Sequence, residues 1–258
     1  MIKPIAFQLG TLEVRWYGIM MAIGLLGGFL IWKRLIKKAG YAKKTALEYY
    51  LVVIISLFIG CRLFHALVYN FNYFLAQPWK ILYIWQGGLS SHGGIIGGSL
   101  GAYWYCKRKN LNFWKFADRT MIAVAFAAGC VRIGNFLNSE IVGRVTNVPW
   151  AIKFYNYDDY RHPSQLYEAA KNFFISGFLY TLNSIKSLNL PDGFLYWLFI
   201  FLFSLLRFFT EFFKEYLVLT QGLTVGQYIS IIFAIFSGFM LFRKYKIQQK
   251  QKANLEQN

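Results

Sequence analysis

Arg132, Asn135 and Ser139 stand three and four residues apart, the spacing that lines up one face of a helix. They close an apolar run that begins at Met121. A guanidinium stays charged at any physiological pH, and placing it in hydrocarbon costs at least ~2.5 kcal/mol. Such a charge is kept where it has a partner, and the polar residues beside it describe a cavity suited to an anionic group such as a lipid headgroup. The competing reading is a carboxylate from another helix that pairs with Arg132 for structural reasons alone. Glu140, Gly143 and Arg144 follow where the run should leave the membrane.

Three other places carry comparable chemistry. Arg207 and Glu211 are four residues apart on one helical face. They can pair with each other, but an isolated ion pair facing lipid gains little from burial. A second phosphate-facing arginine, oriented by its carboxylate, accounts for the placement better. His92 sits in the glycine-rich stretch Gly87–Gly98. Its side chain titrates near neutrality and suits proton transfer, while the glycines would equally serve close helix packing around a core histidine. The residues alone leave these two readings level. In Arg161-His162-Pro163-Ser164-Gln165-Leu166-Tyr167-Glu168, Pro163 suits a first helical turn and Glu168 complements the helix dipole. That structural explanation stands beside a supporting role for Gln165 and Glu168. Arg62 and His65 fall near the end of the second apolar run, where snorkelling to the surface is expected; Arg62 is also a candidate supporting residue. No Cys/His cluster has metal-ligand spacing and no nucleotide phosphate loop occurs, so neither a metal nor a cofactor is expected.

The elements that must hold these residues are membrane helices. Of the 258 residues 57% are hydrophobic and 20% aromatic, and only 15% are charged, against ~25% in soluble domains. The net charge of +17 would suit nucleic acid binding, but the basic residues gather in short segments between apolar runs. That is a topology signal, and no nucleic acid partner is expected. Cys61, Cys106 and Cys130 lie in or beside the runs and read as small core residues without a disulfide. The first fifteen residues lack the pattern of a cleavable signal peptide.

An all-α integral membrane protein of about seven spans is predicted, over Tyr17–Trp32, Ala46–Val68, Ser90–Cys106, Thr120–Leu137, Leu166–Ile185, Gly193–Phe213 and Leu223–Phe242. The segment from about 140 to 163, between spans four and five, forms a small external head, and about 243–258 is a cytoplasmic tail, either a solvated helix end or disordered. All of it belongs to a single polytopic domain, 1–258. Lys and Arg outside the spans number seventeen after spans one, three, five and seven, and seven in the alternate segments. The N-terminus is therefore expected outside and the C-terminus in the cytoplasm. At 1.5 Å per helical residue, Arg132 lies ~20 Å, Arg207 and His92 ~22 Å, and Tyr17 ~24 Å from the cytoplasmic boundary. Four chemically capable residues from four spans share one depth, in the outer part of the bilayer.

The segment Arg132-Ile133-Gly134-Asn135-Phe136-Leu137-Asn138-Ser139-Glu140-Ile141-Val142-Gly143 resembles the signature of the bacterial prolipoprotein diacylglyceryl transferase family. The resemblance extends, in order along nearly the whole chain, to Tyr17-Gly18, His92-Gly93-Gly94-Ile95-Ile96-Gly97, His162-Pro163-Ser164-Gln165-Leu166-Tyr167-Glu168, and Arg207 with Glu211. It implies a seven-span enzyme of the bacterial inner membrane with its active site toward the outer leaflet. The reaction implied moves diacylglyceryl from phosphatidylglycerol to the lipobox cysteine of a prolipoprotein signal peptide. A thioether forms and glycerol 1-phosphate leaves. The site would comprise His92, Arg132, Arg207, Tyr17, Asn135, Glu140, Gly143 and Glu211, with Arg132, Arg207, Asn135 and Tyr17 on the phospholipid. Gly143 would permit a tight turn where the span meets the head. Two other classes remain: a lipid transporter or flippase, which also uses intramembrane arginines but often shows inverted repeats, and a binding or assembly subunit in which His92 is dispensable. No repeat is present, the span number is odd, and the charges gather on one side.

Overall fold

Every apolar run folds as a helix, because a backbone in hydrocarbon must satisfy its own N–H and C=O groups. In a computed structural model, residues 4–10, 12–215 and 222–256 are described. Their long helices are α1 (Trp16–Lys38), α2 (Lys43–Phe64), α4 (Ser91–Arg108), α5 (Phe113–Leu137), α6 (Ser164–Ser184), α7 (Phe194–Thr210) and α8 (Val225–Glu256), with a short α3 (Phe71–Ala76) after α2. Among the described residues, five stretches are long and apolar enough to cross a membrane: Trp16–Lys38, Lys43–Tyr69, Phe113–Leu137, Phe194–Phe213 and Val225–Gln249. The predicted third and fifth spans are helical as α4 and α6 but less apolar. Glycines dilute α4, and Glu168, Lys171 and Asn172 interrupt α6. Helix α8 continues to Glu256, so the tail is helical as far as it is described; Lys3 and residues 257–258 lie outside the described residues.

The chain divides into two compact units, Met1–Trp32 with Asp118–Asn258, and Lys33–Ala117. The first opens with an antiparallel hairpin of β1 (Ile5–Leu9) and β2 (Leu12–Arg15). It leads into α1, where a methyl on Gly24 would meet Ala127 and one on Gly27 would enter the Phe126 ring, so α1 lies close on α5. Helix α6 packs on α5 where Phe173 meets Phe126 (ring centres 5.6 Å apart) and Gly129, and Ser176 Oγ donates to the Ile122 carbonyl at 2.9 Å. The Asp118 carboxylate accepts the backbone N–H groups of Gly193 (2.7 Å) and Tyr196 (2.8 Å), which caps the start of α7. Helix α8 then packs along α7.

Between α5 and α6 the chain forms a small irregular cap. Short strands β3 (Ile152–Lys153) and β4 (Tyr160–Arg161) pair, and further bridges join Val145 to Arg161 and Gly143 to Lys214. The end of α7 is thereby stitched to the segment that follows α5.

In the second unit α2 packs on α4. A methyl on Gly93 or Gly97 would strike the carbonyl oxygens of Gly60 or Ser56, so the glycines let two backbones touch. The stretch around His92 is thus helical, beginning at Ser91, and its glycines have the packing role weighed above. Cys61, Cys106 and Cys130 are buried free thiols, as expected of small core residues.

Candidate functional site

The first unit gathers most of the predicted residues. Arg132 and Asn135 project from the last turns of α5. The predicted third member of their stripe does not: the helix ends at Leu137, and Ser139 follows in a left-handed backbone (φ 56°), where its Oγ accepts the Tyr155 N–H at 3.2 Å. The chain turns sharply there, so helical spacing no longer applies. Ile141 is also left-handed (φ 54°). That conformation strains a β-branched residue by about 1–3 kcal/mol. Its neighbours hold it in place: Ser164 Oγ donates to the Ile141 carbonyl at 3.1 Å, and Gln165 Nε2 to the Glu140 carbonyl at 2.7 Å. Gln165, fully buried, thereby fixes the backbone at Glu140.

Asn135 is buried, and its Nδ2 donates to Glu140 Oε2 at 3.1 Å, while Asn138 Nδ2 donates to Oε1 at 3.0 Å. The Glu140 carboxylate is thus oriented by two asparagine amides. Tyr17, on the first turn of α1, packs beside Gly134 and lies within electrostatic reach of both Glu140 and Arg132. Gly143 does not form the expected turn. It is extended and paired with Lys214, and a methyl there would collide with the carbonyl oxygens of His162 and Phe213. Glycine is needed because three stretches of backbone converge on it.

Glu168 links these residues to α7. Its side chain is 1% exposed, and its Oε2 lies 2.6 Å from Lys171 Nζ and 4.0 Å from Arg132 Nε. Oε1 accepts from Thr210 Oγ1 at 2.6 Å and lies 3.0 Å from Lys214 Nζ. Lys214 Nζ also reaches Glu211 Oε2 at 3.4 Å, and the same oxygen lies 3.8 Å from Arg207 Nε. Glu211 is buried against Gly226, where a methyl would displace its carboxylate, and it accepts from Thr224 Oγ1 at 3.3 Å. Arg132 and Arg207 thus belong to one network of four cations and two carboxylates. Among the described residues, each arginine side chain has a single, long ion-pair contact and no hydrogen bond.

Sequence reasoning missed two members. Lys171 stands inside the predicted fifth span, three residues after Glu168, and an intramembrane lysine at that spacing was a usable signal. Lys214, three residues after Glu211, was counted only as an external charge. Outside the network, burial pushes the His162 imidazole below its ordinary value; its Nδ1 lies 3.1 Å from the Tyr167 hydroxyl and its ring meets Phe213 edge-on.

Arg62 and His92 belong to the second unit. Arg62 does not snorkel. It is buried, and its guanidinium donates to the carbonyls of Ile81, Gly87, Lys80, Gly88 and Tyr83 at 2.6–3.2 Å, with the Phe74 ring 5.0 Å away. A chain that folds back over the end of α2 supplies those acceptors. His65 Nε2 lies 2.9 Å from Asn70 Nδ2. His92, in the first turn of α4, is exposed; it stacks on Phe64, and its Nδ1 is 3.4 Å from the Tyr69 hydroxyl.

The order of these residues matches a known family along almost the entire chain. The sequence profile of prolipoprotein diacylglyceryl transferase matches residues 4–243. The chain belongs to that family. Among its relatives are proteins named phosphatidylglycerol–prolipoprotein diacylglyceryl transferase. The one from Tolumonas auensis is 38% identical over 97% of both chains. That from Geobacter sulfurreducens is 37% identical over 83% of both. That from Aeromonas hydrophila is 35% identical over 96% of this chain and 92% of its own. The family match spans both units, so it takes in His92 as well as the cation network.

Proposed function

We propose that this chain transfers the diacylglyceryl group of phosphatidylglycerol to the lipobox cysteine of a prolipoprotein, the first step of bacterial lipoprotein maturation. The observation that carries this reading is the joining of Arg132 and Arg207 into one network whose cations outnumber its carboxylates. Such a network suits a phosphate, and the relatives' names specify which phospholipid.

The reaction needs a sulfur nucleophile and a stabilised leaving group. A free thiol titrates near ~8.5, so its proton must be taken as it attacks. The new C–S bond forms as the bond between the glyceryl carbon and the phosphate oxygen breaks. The electron pair leaves with glycerol 1-phosphate. Arg132 and Arg207 grip that phosphate and stabilise its growing charge, a role in which one donor is worth ~10²–10³-fold in kcat. His92 takes the thiol proton or positions the thiol; positioned proton transfer gives ~10²–10⁴-fold. Asn135 and Tyr17 hydrogen-bond the phosphoglycerol head. Glu140 and Glu211 orient the arginines or hold glycerol hydroxyls, and Gln165 and Glu168 support them.

In this reading α4 and α6 complete seven spans of one polytopic domain in the inner membrane. The excess of basic residues after alternate spans puts the N-terminus outside and residues 243–258 in the cytoplasm. The head at 140–163 then faces outward and the arginines lie toward the outer leaflet, where phospholipid enters sideways and a signal helix presents its cysteine. The test is purified protein with labelled phosphatidylglycerol and a lipobox peptide. Label should appear on the cysteine peptide and not on its serine counterpart; label on both, or on neither, overturns the reading.

A further inference from the structure

We propose that Lys171, acting with Lys214, is a positioning residue that keeps Arg132 available to an anion by occupying the carboxylate that would otherwise capture it. The inference rests on the reading that Arg132 grips the phosphate of phosphatidylglycerol. Glu168 is the competitor. It is the carboxylate in ion-pair contact with Arg132, and a carboxylate facing a guanidinium ordinarily closes into a short, bidentate pair. Here it has not closed. Arg132 Nε stays 4.0 Å from Glu168 Oε2, while that same oxygen holds Lys171 Nζ at 2.6 Å. The other oxygen is taken by Thr210 and Lys214.

Lys171 is built for this task. Its side chain is 3% exposed, and its ammonium lies 4.2 Å from the centre of the Phe203 ring, so it has no route to solvent. Burying an ammonium is expensive, and Glu168 does not require it: Arg132 and Lys214 already supply two positive charges. The surplus cation makes sense if Arg132 belongs to something else. With Lys171 present, four cations face two carboxylates, leaving two positive charges. The phosphodiester of phosphatidylglycerol carries one negative charge, and the departing phosphate monoester carries up to two. The network therefore has positive charge to spare for the leaving group, part of it offset by Glu140 nearby. Without Lys171, Glu168 Oε2 is open and Arg132 has a carboxylate to fold onto.

The test is a two-residue cycle on the full chain in phosphatidylglycerol vesicles, with a lipobox peptide as acceptor and thermal unfolding to establish that each variant is folded. Lys171→Met should raise KM for phosphatidylglycerol about tenfold, the equivalent of one lost charge contact of about 1.4 kcal/mol, with a smaller change in kcat. Lys171→Met/Glu168→Gln removes the competitor and restores the charge excess, so its KM should return to within about twofold of the unmodified protein. Lys171→Arg should keep KM low. A double variant as poor as Lys171→Met, or a loss confined to kcat, overturns the proposal. Should Lys171→Met not fold, Lys171→Gln with and without Glu168→Gln makes the same comparison. Failure of the unmodified protein to transfer from phosphatidylglycerol would instead overturn the functional reading.

Discussion

Arg62 and Arg132 both stand in apolar helices, and their surroundings differ completely. Arg62 in the second unit is wrapped by five backbone carbonyls from the segment Lys80–Gly88. Arg132 in the first unit has one ion-pair contact at 4.0 Å among the described residues. Arg207 resembles Arg132, with one contact at 3.8 Å. A guanidinium whose donors are filled by its own chain has nothing left for a ligand and serves to hold that chain. One whose donors are open, in a network with more cations than carboxylates, keeps its hydrogen-bonding capacity, as the proposed grip on phosphate requires. Charge and an apolar helix alone do not separate the two arginines; donor occupancy does, and the filled one is also the more buried.

The sharpest way to break this comparison is to exchange the consequences. Arg207→Ala should lower kcat/KM about 10²–10³-fold, with an unfolding temperature close to that of the unmodified protein. A large loss of stability with activity retained per folded molecule would make Arg207 a structural residue like Arg62. Arg62→Met should do the reverse. Leaving even two of its five carbonyls unsatisfied, at about 1–3 kcal/mol each, should lower Tm by at least about 5 °C. Turnover of the folded fraction should change little. Equal loss of turnover would mean that the Lys80–Gly88 segment or Arg62 itself takes part in the reaction.

A smaller effect sharpens the contrast from the side of the cap. Burial holds His162 in its neutral form below the ordinary histidine range. A group with a depressed folded pKa binds its proton more readily when unfolded, so its contribution is complete above about pH 6.5 and is lost as pH falls through the folded value. Tm should therefore decline modestly between pH 7 and 5, and His162→Gln should remove part of that decline. An unchanged pH dependence in the variant would show that the imidazole does not sense its packing against Tyr167 and Phe213.

Much of the helical framework was legible because hydropathy and helix length are local properties. The runs read from the sequence coincide with helices to within a few residues at most ends, α8, α5 and α1 being the longer exceptions. The site was legible in part. Arg132, Arg207 and Glu211 stood out because charge in an apolar run is anomalous wherever it occurs. Arg62 was misjudged because its partners lie 18 to 26 residues away in a loop, and no local spacing reveals them. Gly143 was taken for a turn because its real constraint, the approach of the His162 and Phe213 backbones, comes from distant strands. Lys214 was hidden for a similar reason: on the chain it looks like a surface charge, and only the folding of α6 beside the end of α7 buries it between two carboxylates.

In our proposal Arg132 holds the phosphate that leaves. The most direct measurement is release of glycerol 1-phosphate from phosphatidylglycerol by purified Arg132→Ala in the presence of a lipobox peptide. Release should fall by at least about 10²-fold in a variant that remains folded. Release at the unmodified rate would contradict the claim and return Arg132 to the role of a structural counter-charge for Glu168.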